Sequence, residues 1–527
     1  MTRSRVLILA GILAVPVIAG GFALQARGAR DGARLFDEVF TLVSDRFVDT
    51  VGAGGLYERA SRGLVQQLQD PYSELLSPKQ LSEFNKNTGG RYAGVGMSIE
   101  DQQGNITVAR VFPGTPAEGA GIREGDRIVW VDSVSTRGWT TRKVSDALIG
   151  TPGTKVSVKF ARFGVSEPIA VTFTRAVIHV PSVPYAIVFD GKIGYIPLQQ
   201  FNESSSDDIA KQLRRMESEG ARGLIIDIRS NGGGFLDQAL TISNMFLPKG
   251  VEIASVRGRD AEQRYTARER PLAPTIPVVI LTDRFTASAS EILAGALQDH
   301  DRALILGETS FGKGLVQTVF NLDGGYALKM TTAKWYTPNG RSIQKERKIG
   351  PDGIFAETHP DSLETDSARK ARPSYKSDAG RVVYGGGAIT PDLIVKPDTL
   401  TTAEQQFIKA IVPKSQDVYV QLYEFALTQK GRVTPDFAIR PEWRDSVFNR
   451  WTKAGVKVDR PQFDAARRYV DRLLEHQVAK IAFGDSTAKR REVDVDVQLR
   501  RAIEILRKGQ SQKEVFALAA VSAKPAH

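Results

Sequence analysis

The chain has 527 residues, a formal net charge of +11 and 41% hydrophobic residues. This length exceeds one hydrophobic core and predicts roughly three or four folded domains, and the composition excludes a mainly disordered protein. The absence of cysteine excludes disulfides, a thiol nucleophile, a cysteine zinc site and a cysteine-linked lipid anchor. Lys and Arg alternate with Asp and Glu, which favours a mixed solvated surface over a nucleic-acid partner.

The first 27 residues have the pattern of an export segment. Arg3 and Arg5 precede an uncharged apolar run from Val6 to Leu24. The pattern fits a secretory signal peptide or an uncleaved N-terminal membrane anchor. The run is just long enough to span a bilayer, which favours the anchor. Both alternatives predict that the rest of the chain is periplasmic or otherwise extracytoplasmic, and the anchor would hold it at the inner membrane.

Residues 28–85 carry helical periodicity. Apolar residues recur on one stripe from Leu35 to Val43, and a second helical pattern runs from Leu56 to Leu68. The turn formers Asp70–Ser73 end the second helix. We predict a helical N-terminal segment that serves as a cap or a dimerising element.

Residues 86–176 change to short alternating strands and contain two glycine-rich motifs. The first is Y-A-G-V-G-M at 92–97, and the second is P-G-T-P-A-E-G-A-G-I-R-E-G-D at 113–126. Such glycines let consecutive amides converge on a carboxylate while an edge strand pairs with a peptide; the alternative is that they only form turns. In this order the motifs resemble a PDZ domain of exported proteases. The resemblance implies that Ala93, Gly94, Val95 and Gly96 bind a peptide C-terminus.

From residue 177 to 399 the pattern becomes α/β. Apolar strands are predicted at 193–198, 223–229 and 276–283, and a helix at 204–218. The second strand runs into S-N-G-G-G-F at 230–235. Three consecutive glycines expose backbone amides at the edge where such sheets place their sites. A flexible loop and a phosphate site are the alternatives.

Ser288 lies between the strand ending at Asp283 and a helix with apolar residues at helical spacing. The sequence S-A-S-E matches a capping box, in which Ser288 caps the helix and Glu291 reaches back to it. A serine at this junction is also placed to act as a nucleophile, because free backbone amides there favour developing negative charge. Both interpretations are compatible.

Lys313 ends G-E-T-S-F-G-K, which nearly matches a nucleotide-binding loop. Gly314 then replaces the required Ser or Thr, and an alternating strand pattern replaces the required helix. The lysine is better suited as a general base for Ser288, since burial lowers the pKa of an amine. A Ser-His-Asp triad is poorly supported by the positions of the five histidines, which are His179, His300, His359, His476 and His527.

Four ordered motifs together resemble the carboxyl-terminal processing proteases, the tail-specific serine peptidases. They are D-I-R-S-N-G-G-G, T-A-S-A-S-E-I-L-A-G-A-L, G-E-T-S-F-G-K-G-L-V-Q and Y-T-P-N-G-R-S-I-Q. The resemblance implies that Ser288 is the nucleophile, Lys313 the general base and Gln317 the residue that orients the lysine. It also implies an oxyanion hole formed by the amides of Gly234 and Ala289, in a crotonase-like core similar to Clp protease. No metal or cofactor is called for.

Two regions depart from that family pattern. Residues 345–384 are a polar insertion between motifs that normally adjoin, and residues 400–527 predict three or four amphipathic helices that match no known motif. Helices are predicted at 403–412, 418–429, 461–483 and 498–508. We expect a multidomain α/β protein whose C-terminal helical domain serves oligomerisation or binds an adaptor protein.

Two hypotheses for the function follow. The first is an exported, ATP-independent serine endopeptidase that recognises the exposed C-terminal tails of protein substrates through its PDZ domain. The second is a PDZ scaffold whose peptidase core is inactive. The intact Ser288, Lys313 and Gln317 argue against the second.

Overall fold

The computed structural model describes residues 30–102, 104–162, 165–349, 355–357 and 370–522. The predicted export segment, 1–27, lies outside the described residues, as do 350–354 and 358–369 of the predicted insertion. The described residues fall into two compact units. One contains the chain up to Pro78 together with Gln317–Thr331, and the other contains Lys79–Val316 and the chain from Thr332 onward.

The described helices are α1 30–46, α2 Ala53–Gln66, α3 Pro78–Gly89, α4 Pro116–Gly119, α5 Thr141–Leu148, α6 Ser205–Ser218, α7 Leu236–Asn244, α8 Ala289–Asp299, α9 Thr402–Ile411, α10 Ser415–Gln429, α11 Pro441–Lys453, α12 Arg460–Ala465, α13 Arg467–Phe483, α14 Asp485–Glu492, α15 Val497–Lys508 and α16 Gln512–Ser522.

The described strands are β1 Glu74–Leu76, β2 Arg91–Gly94, β3 Met97–Gln102, β4 Asn105–Val111, β5 Arg127–Val131, β6 Val134–Ser135, β7 Lys155–Ala161, β8 Ile169–Thr174, β9 Ala176–His179, β10 Ile187–Phe189, β11 Ile193–Pro197, β12 Gly223–Asp227, β13 Glu252–Gly258, β14 Glu262–Thr266, β15 Val278–Thr282, β16 Leu304–Gly307, β17 Leu315–Asn321, β18 Ala327–Tyr336, β19 Arg347–Ile349, β20 Phe355–Glu357, β21 Ser374–Lys376, β22 Val382–Tyr384 and β23 Leu393–Ile394.

The smaller unit is built on α1, α2 and a short antiparallel pairing. The rings of Phe40 and Tyr57 stack with centroids 4.2 Å apart. Leu75 of β1 pairs with Leu328 in the first part of β18. The helical prediction for 28–85 holds for most of this segment but misses β1, which is too short to show a sequence period of its own. The predicted turn is present, and the Asp70 carboxylate accepts the Ser73 hydroxyl at 2.5 Å.

Residues 86–176, where the sequence resembles a PDZ domain, contain a β-rich module of the larger unit. Its main sheet has the order β3-β4-β5-β7-β8, and β6 pairs with β5. Apolar residues of these strands and of α5 form one buried cluster. Strand β3 lies at the end of the sheet order, so within the described part of the chain one of its edges has no strand partner. Such an edge is where a peptide adds by main-chain pairing.

The α/β core of the larger unit is a six-stranded sheet of order β10-β11-β12-β15-β16-β23. Every neighbouring pair is parallel except β10 and β11. Strands β11, β12, β15 and β16 are buried along their whole length, as expected for a parallel sheet covered on both faces. On one face, apolar residues of α6, α7 and α8 form a buried cluster with the sheet.

The other face of the same sheet is covered by α15 and α16. Leu499, Ile503 and Leu506 of α15 pack with Tyr195, Ile225 and Leu281 of the strands. The remaining C-terminal helices, α9 to α14, form a separate cluster around Phe407, Trp451 and Phe463. The C-terminal region therefore contains both a helical bundle and the second layer of the core.

More helices are present in the C-terminal region than the sequence predicted. Those from 403, 418 and 498 are found within a few residues, whereas the predicted helix 461–483 is broken at Ala466 into α12 and α13. Helices α11, α14 and α16 were not predicted. None of the helices in the described part of the chain is long and apolar enough to cross a membrane.

Candidate active site

Three loops of the larger unit meet at the carboxyl edge of the parallel sheet. They follow β12, β15 and β16, which are neighbours in the sheet order. The first carries the glycines 232–234, the second ends at Ser288 and the third contains Lys313. Because parallel strands end on the same edge, these loops are brought together by the fold itself.

Ser288 is held in an uncommon backbone conformation at the start of α8, with φ 56° and ψ −118°. Within the described stretch 286–299 every residue except Ser288 is buried. Ser288 and Glu291 occupy the first and last positions of a capping box at the start of α8. Ser288 is partly exposed and has a positive φ at the start of an otherwise buried helix, a position suited to a nucleophile.

Glu291 binds the Ser288 amide, as the capping box predicted, and also binds the loop 310–313. Its fully buried carboxylate accepts the Ser288 amide at 2.8 Å. It also accepts the Lys313 amide at 2.9 Å, the Gly312 amide at 2.7 Å and the Ser310 hydroxyl at 2.5 Å. One carboxylate oxygen of Glu291 accepts both backbone amides, so the backbone nitrogens of Ser288 and Lys313 lie within about 6 Å of each other. One side chain thus fixes the loop of Ser288 to the loop of Lys313.

Burial raises the pKa of Glu291, and the hydrogen bonds from Ser310, Lys313, Gly312 and Ser288 oppose that shift. From the sequence we predicted only a capping role for Glu291. Its other three donors come from a loop about twenty residues further along the chain, so local pattern does not reveal them.

The glycine-rich loop lies directly against the Ser288 turn. A Cβ added to Gly233 would lie 2.8 Å from the Ala289 nitrogen and 2.9 Å from the Ser288 Cβ. The Asn231 side chain accepts the Gly233 amide at 2.9 Å, and the Asn231 carbonyl accepts the Ala287 amide at 3.0 Å. Neither Gly234 nor Ala289 donates its amide to any residue that the structure describes. These two amides are available for an oxyanion.

Lys313 is only partly buried, whereas its expected role as a base assumed that its side chain is buried. Its carbonyl accepts the indole N–H of Trp335 at 3.0 Å, which together with Glu291 fixes its backbone on both sides. Strand β17 follows it, where a nucleotide-binding loop has a helix. Gln317 belongs to the smaller unit, where its side chain donates to the Thr331 hydroxyl at 3.2 Å. Its role toward Lys313 stays a prediction.

Two histidines in the described part of the larger unit, His300 and His476, bond to groups away from Ser288. The ring nitrogens of His300, at the opposite end of α8 from Ser288, are within 2.7 Å of Asp378 and of the Glu252 carbonyl. His476 contacts Glu492 at 2.5 Å. These contacts agree with the preference for a lysine over a histidine as the base.

The predicted peptide loop of the PDZ region contains a sharp turn. Ala93 and Gly94 pair with β9, Val95 is buried, and Gly96 has φ +92°. The Val95 and Gly96 carbonyls accept the amides of Ala117 and Phe112 at 2.8 and 3.0 Å, so the second predicted motif packs on the first. The turn leads into β3, the strand with one open edge, beside α5.

Comparisons with known proteins agree with this architecture. Residues 192–354 match Peptidase family S41, and residues 107–162 match the PDZ domain. The Carboxy-terminal-processing protease of Bartonella bacilliformis is 37% identical over 332 residues, 62% of this chain and 75% of that protein. The Carboxy-terminal processing protease CtpA of Bacillus subtilis is 32% identical over 342 residues, 64% of this chain and 73% of that protein.

A solved photosystem II D1 C-terminal processing protease is 30% identical, with a TM-score of 0.35, and covers 63% of this chain and 87% of its own. The fold and the matched regions define a serine peptidase with a PDZ domain. The chain belongs to peptidase family S41, the carboxy-terminal processing proteases. The predicted family, fold class and enzyme class are confirmed.

Proposed function

We propose that the chain is an exported, ATP-independent endopeptidase that binds the C-terminal tails of protein substrates and cleaves them with a Ser288–Lys313 dyad. One observation carries the mechanism: the buried Glu291 carboxylate binds the backbone of both residues beside the glycine-rich loop. Export is inferred from the charge and apolar pattern of residues 1–27. The names of the relatives support C-terminal processing as the type of cleavage.

Acylation begins when the neutral Lys313 amine removes the Ser288 proton and the Ser288 oxygen attacks the scissile carbonyl. The negative charge that develops on the carbonyl oxygen is stabilised by the amides of Gly234 and Ala289. Lys313 then gives its proton to the leaving amine, which releases the first product and leaves an ester on Ser288.

Deacylation repeats these steps with water. Lys313 takes a proton from the water molecule, whose oxygen attacks the ester, and Ser288 recovers its proton as the second product leaves. We infer that Gln317 orients the Lys313 amine during both halves.

The chemistry is tested with Ser288→Ala and Lys313→Ala on a purified unfolded protein. Each variant is expected to lower kcat/KM about a thousandfold or more, because members of a nucleophile–base pair act as a unit. Ser243→Ala, a buried serine of α7, and Lys192→Ala, which bonds the Glu219 carbonyl, serve as matched controls and should retain activity. Full activity in Ser288→Ala would overturn the proposal.

Tail recognition is tested with a fluorescent peptide bearing either a free C-terminal carboxylate or an amide. Loss of charge-assisted hydrogen bonds to the loop 93–96 is expected to weaken binding of the amide about tenfold or more. Equal affinity for the two peptides would contradict the PDZ role. Tail binding by a wild-type protein that cleaves nothing would support the scaffold hypothesis instead.

We further propose that the N-terminal helices and the helical bundle of α9 to α14 contact a second copy of the chain or an adaptor protein. For residues 1–27 we propose that they anchor the chain in a membrane. Apolar side chains of α1 including Leu35, Phe36 and Val39 are exposed, which supports the oligomer hypothesis.

A further inference from the structure

Arg229 connects the oxyanion loop to the C-terminal end of the chain. It lies two positions after the end of β12 and is separated from Gly234 by four residues. Its guanidinium donates to Asp227 at 2.9 and 2.6 Å on one side. On the other side it donates to Asp496 at 2.9 and 2.8 Å. Both carboxylates are therefore bound in the two-pronged geometry that fixes a guanidinium plane.

Asp496 in turn belongs to the helix that covers the core sheet. Its carboxylate caps α15 by accepting the Leu499 amide at 3.0 Å, and it accepts Lys489 at 2.9 Å. Burial disfavours the charge on Asp496, but the hydrogen bonds and charge of Arg229, the charge of Lys489 and the Leu499 amide together outweigh it and hold the pKa of Asp496 well below its usual range. Two cations and two carboxylates thus balance in a largely buried cluster formed by Asp227, Arg229, Lys489 and Asp496.

Neighbouring contacts carry the position of Arg229 into the oxyanion loop. The next residue, Ser230, donates its amide to Asp283 at 2.9 Å and has φ 57°. Asn231 then binds the Leu198 carbonyl at 2.7 Å and the Gly233 amide at 2.9 Å. Each residue from 227 to 231 makes a hydrogen bond, so a continuous set of contacts leads from Arg229 to the loop that carries Gly234.

We propose that Asp496 is a positioning residue of the peptidase, through which the C-terminal helix α15 holds Arg229 and, with it, the oxyanion amide of Gly234. The inference rests on the proposed function, because it assigns Gly234 to the oxyanion hole. It gives the C-terminal region, which neither family match includes, an indirect part in catalysis.

Asp496→Asn is the first test, measured as kcat and KM on a peptide substrate and as the affinity for a peptide aldehyde, which forms a tetrahedral adduct. Misplacement of the oxyanion amide is expected to lower kcat about tenfold to a hundredfold, with KM changed less than about threefold. Affinity for the aldehyde should fall by a factor similar to that for kcat, since both depend on the oxyanion hole.

Asp471→Asn is the matched control. Asp471 accepts two hydrogen bonds from Arg444, at 2.5 and 2.9 Å, within the helical bundle. Its loss is expected to lower the thermal unfolding midpoint without changing kcat. Asp496→Glu keeps the charge but lengthens the side chain by one methylene, so it provides a folded variant if Asp496→Asn fails to fold. We expect an intermediate kcat for it.

Wild-type kcat in Asp496→Asn, or in a folded Asp496→Glu if the former is lost, would overturn the inference. An equal loss of kcat in Asp471→Asn would also overturn it, because the effect would then follow from stability alone. Ser288→Ala is measured in parallel. Activity remaining in that variant would reject the proposed function, whereas its inactivity combined with unchanged Asp496 variants rejects only the positioning role.

Discussion

At the scale of single residues, the site depends on side chains that act on the backbone of their neighbours. Ser288 and Lys313 were identified from their motifs, and the structure places their loops together. Glu291 and Asn231 hold these loops in position by hydrogen bonds, and neither was predicted to have this role. A motif shows which residue types follow one another, whereas the hydrogen bonds of Glu291 join loops about twenty residues apart.

Gly233→Ala tests the close approach of the glycine-rich loop. A methyl group there would meet the Ala287 carbonyl at 2.7 Å and the Ala289 nitrogen at 2.8 Å, at a φ of +93°. We expect kcat to fall about a hundredfold or more, comparable with the loss of an oxyanion donor. Gly232→Ala is the control, because no heavy atom of the described chain lies within 4 Å of its added Cβ. Similar kinetics for the two variants would contradict this geometry.

Glu291→Gln tests whether the buried carboxylate positions the dyad. Four donors converge on Glu291, and a carboxamide offers one oxygen acceptor and adds two N–H donors. Both loops should shift, and kcat should fall about tenfold to a hundredfold with little change in KM. Stopped-flow assays give both constants. Wild-type kcat in a folded Glu291→Gln protein would show that the carboxylate has only a structural role.

At the scale of secondary-structure elements, the sequence succeeded where apolar runs are long and bounded by turn formers. Strands β11, β12 and β15 and helix α6 were all placed within a few residues. The helix predicted at 461–483 failed because its periodicity continues across Ala466, where the chain turns between α12 and α13. The docking of α15 on the core sheet was also missed, since an amphipathic pattern shows that a face is buried but not against what.

The ion pair between Glu404 of α9 and Arg468 of α13 is expected to make the stability of the protein depend on pH. Hydrogen bonds from Arg468 lower the pKa of Glu404 from 4.5 to about 2, against a weaker effect of burial. A carboxyl group whose pKa is lowered on folding stabilises the protein above its unfolded pKa, and that stability is lost as pH falls through the folded value. The wild type should therefore lose this contribution between pH 4.5 and about 2.

The measurement is the urea midpoint of wild type and Glu404→Gln at several pH values. The wild type is expected to be more stable near pH 7, and the difference should shrink toward pH 2 as Glu404 becomes protonated. A difference that stays constant across this range would show that the ion pair with Arg468 does not contribute. Comparing the two proteins at each pH removes the effect of the other titrating groups.

At the scale of the whole molecule, the family, the fold class and the class of enzyme could be read from four ordered motifs. The division of the chain into two compact units could not be read from the sequence. Strand β17 passes from the larger unit into the smaller one, so Lys313 and Gln317 belong to different units although four positions apart. The C-terminal region combines a bundle with a layer of the core, because α15 and α16 bury their apolar faces on the sheet. Such pairings are set by tertiary packing.

Covalent labelling of the intact protein with a fluorophosphonate, followed by peptide mass mapping, tests the central claim that Ser288 is a nucleophile activated by Lys313. The reagent phosphonylates a serine whose oxygen is activated by a neighbouring base. We expect a single label on Ser288 in the wild type, and a labelling rate in Lys313→Ala lower by about a hundredfold or more. A label on another serine, or a wild-type rate in Lys313→Ala, would contradict it.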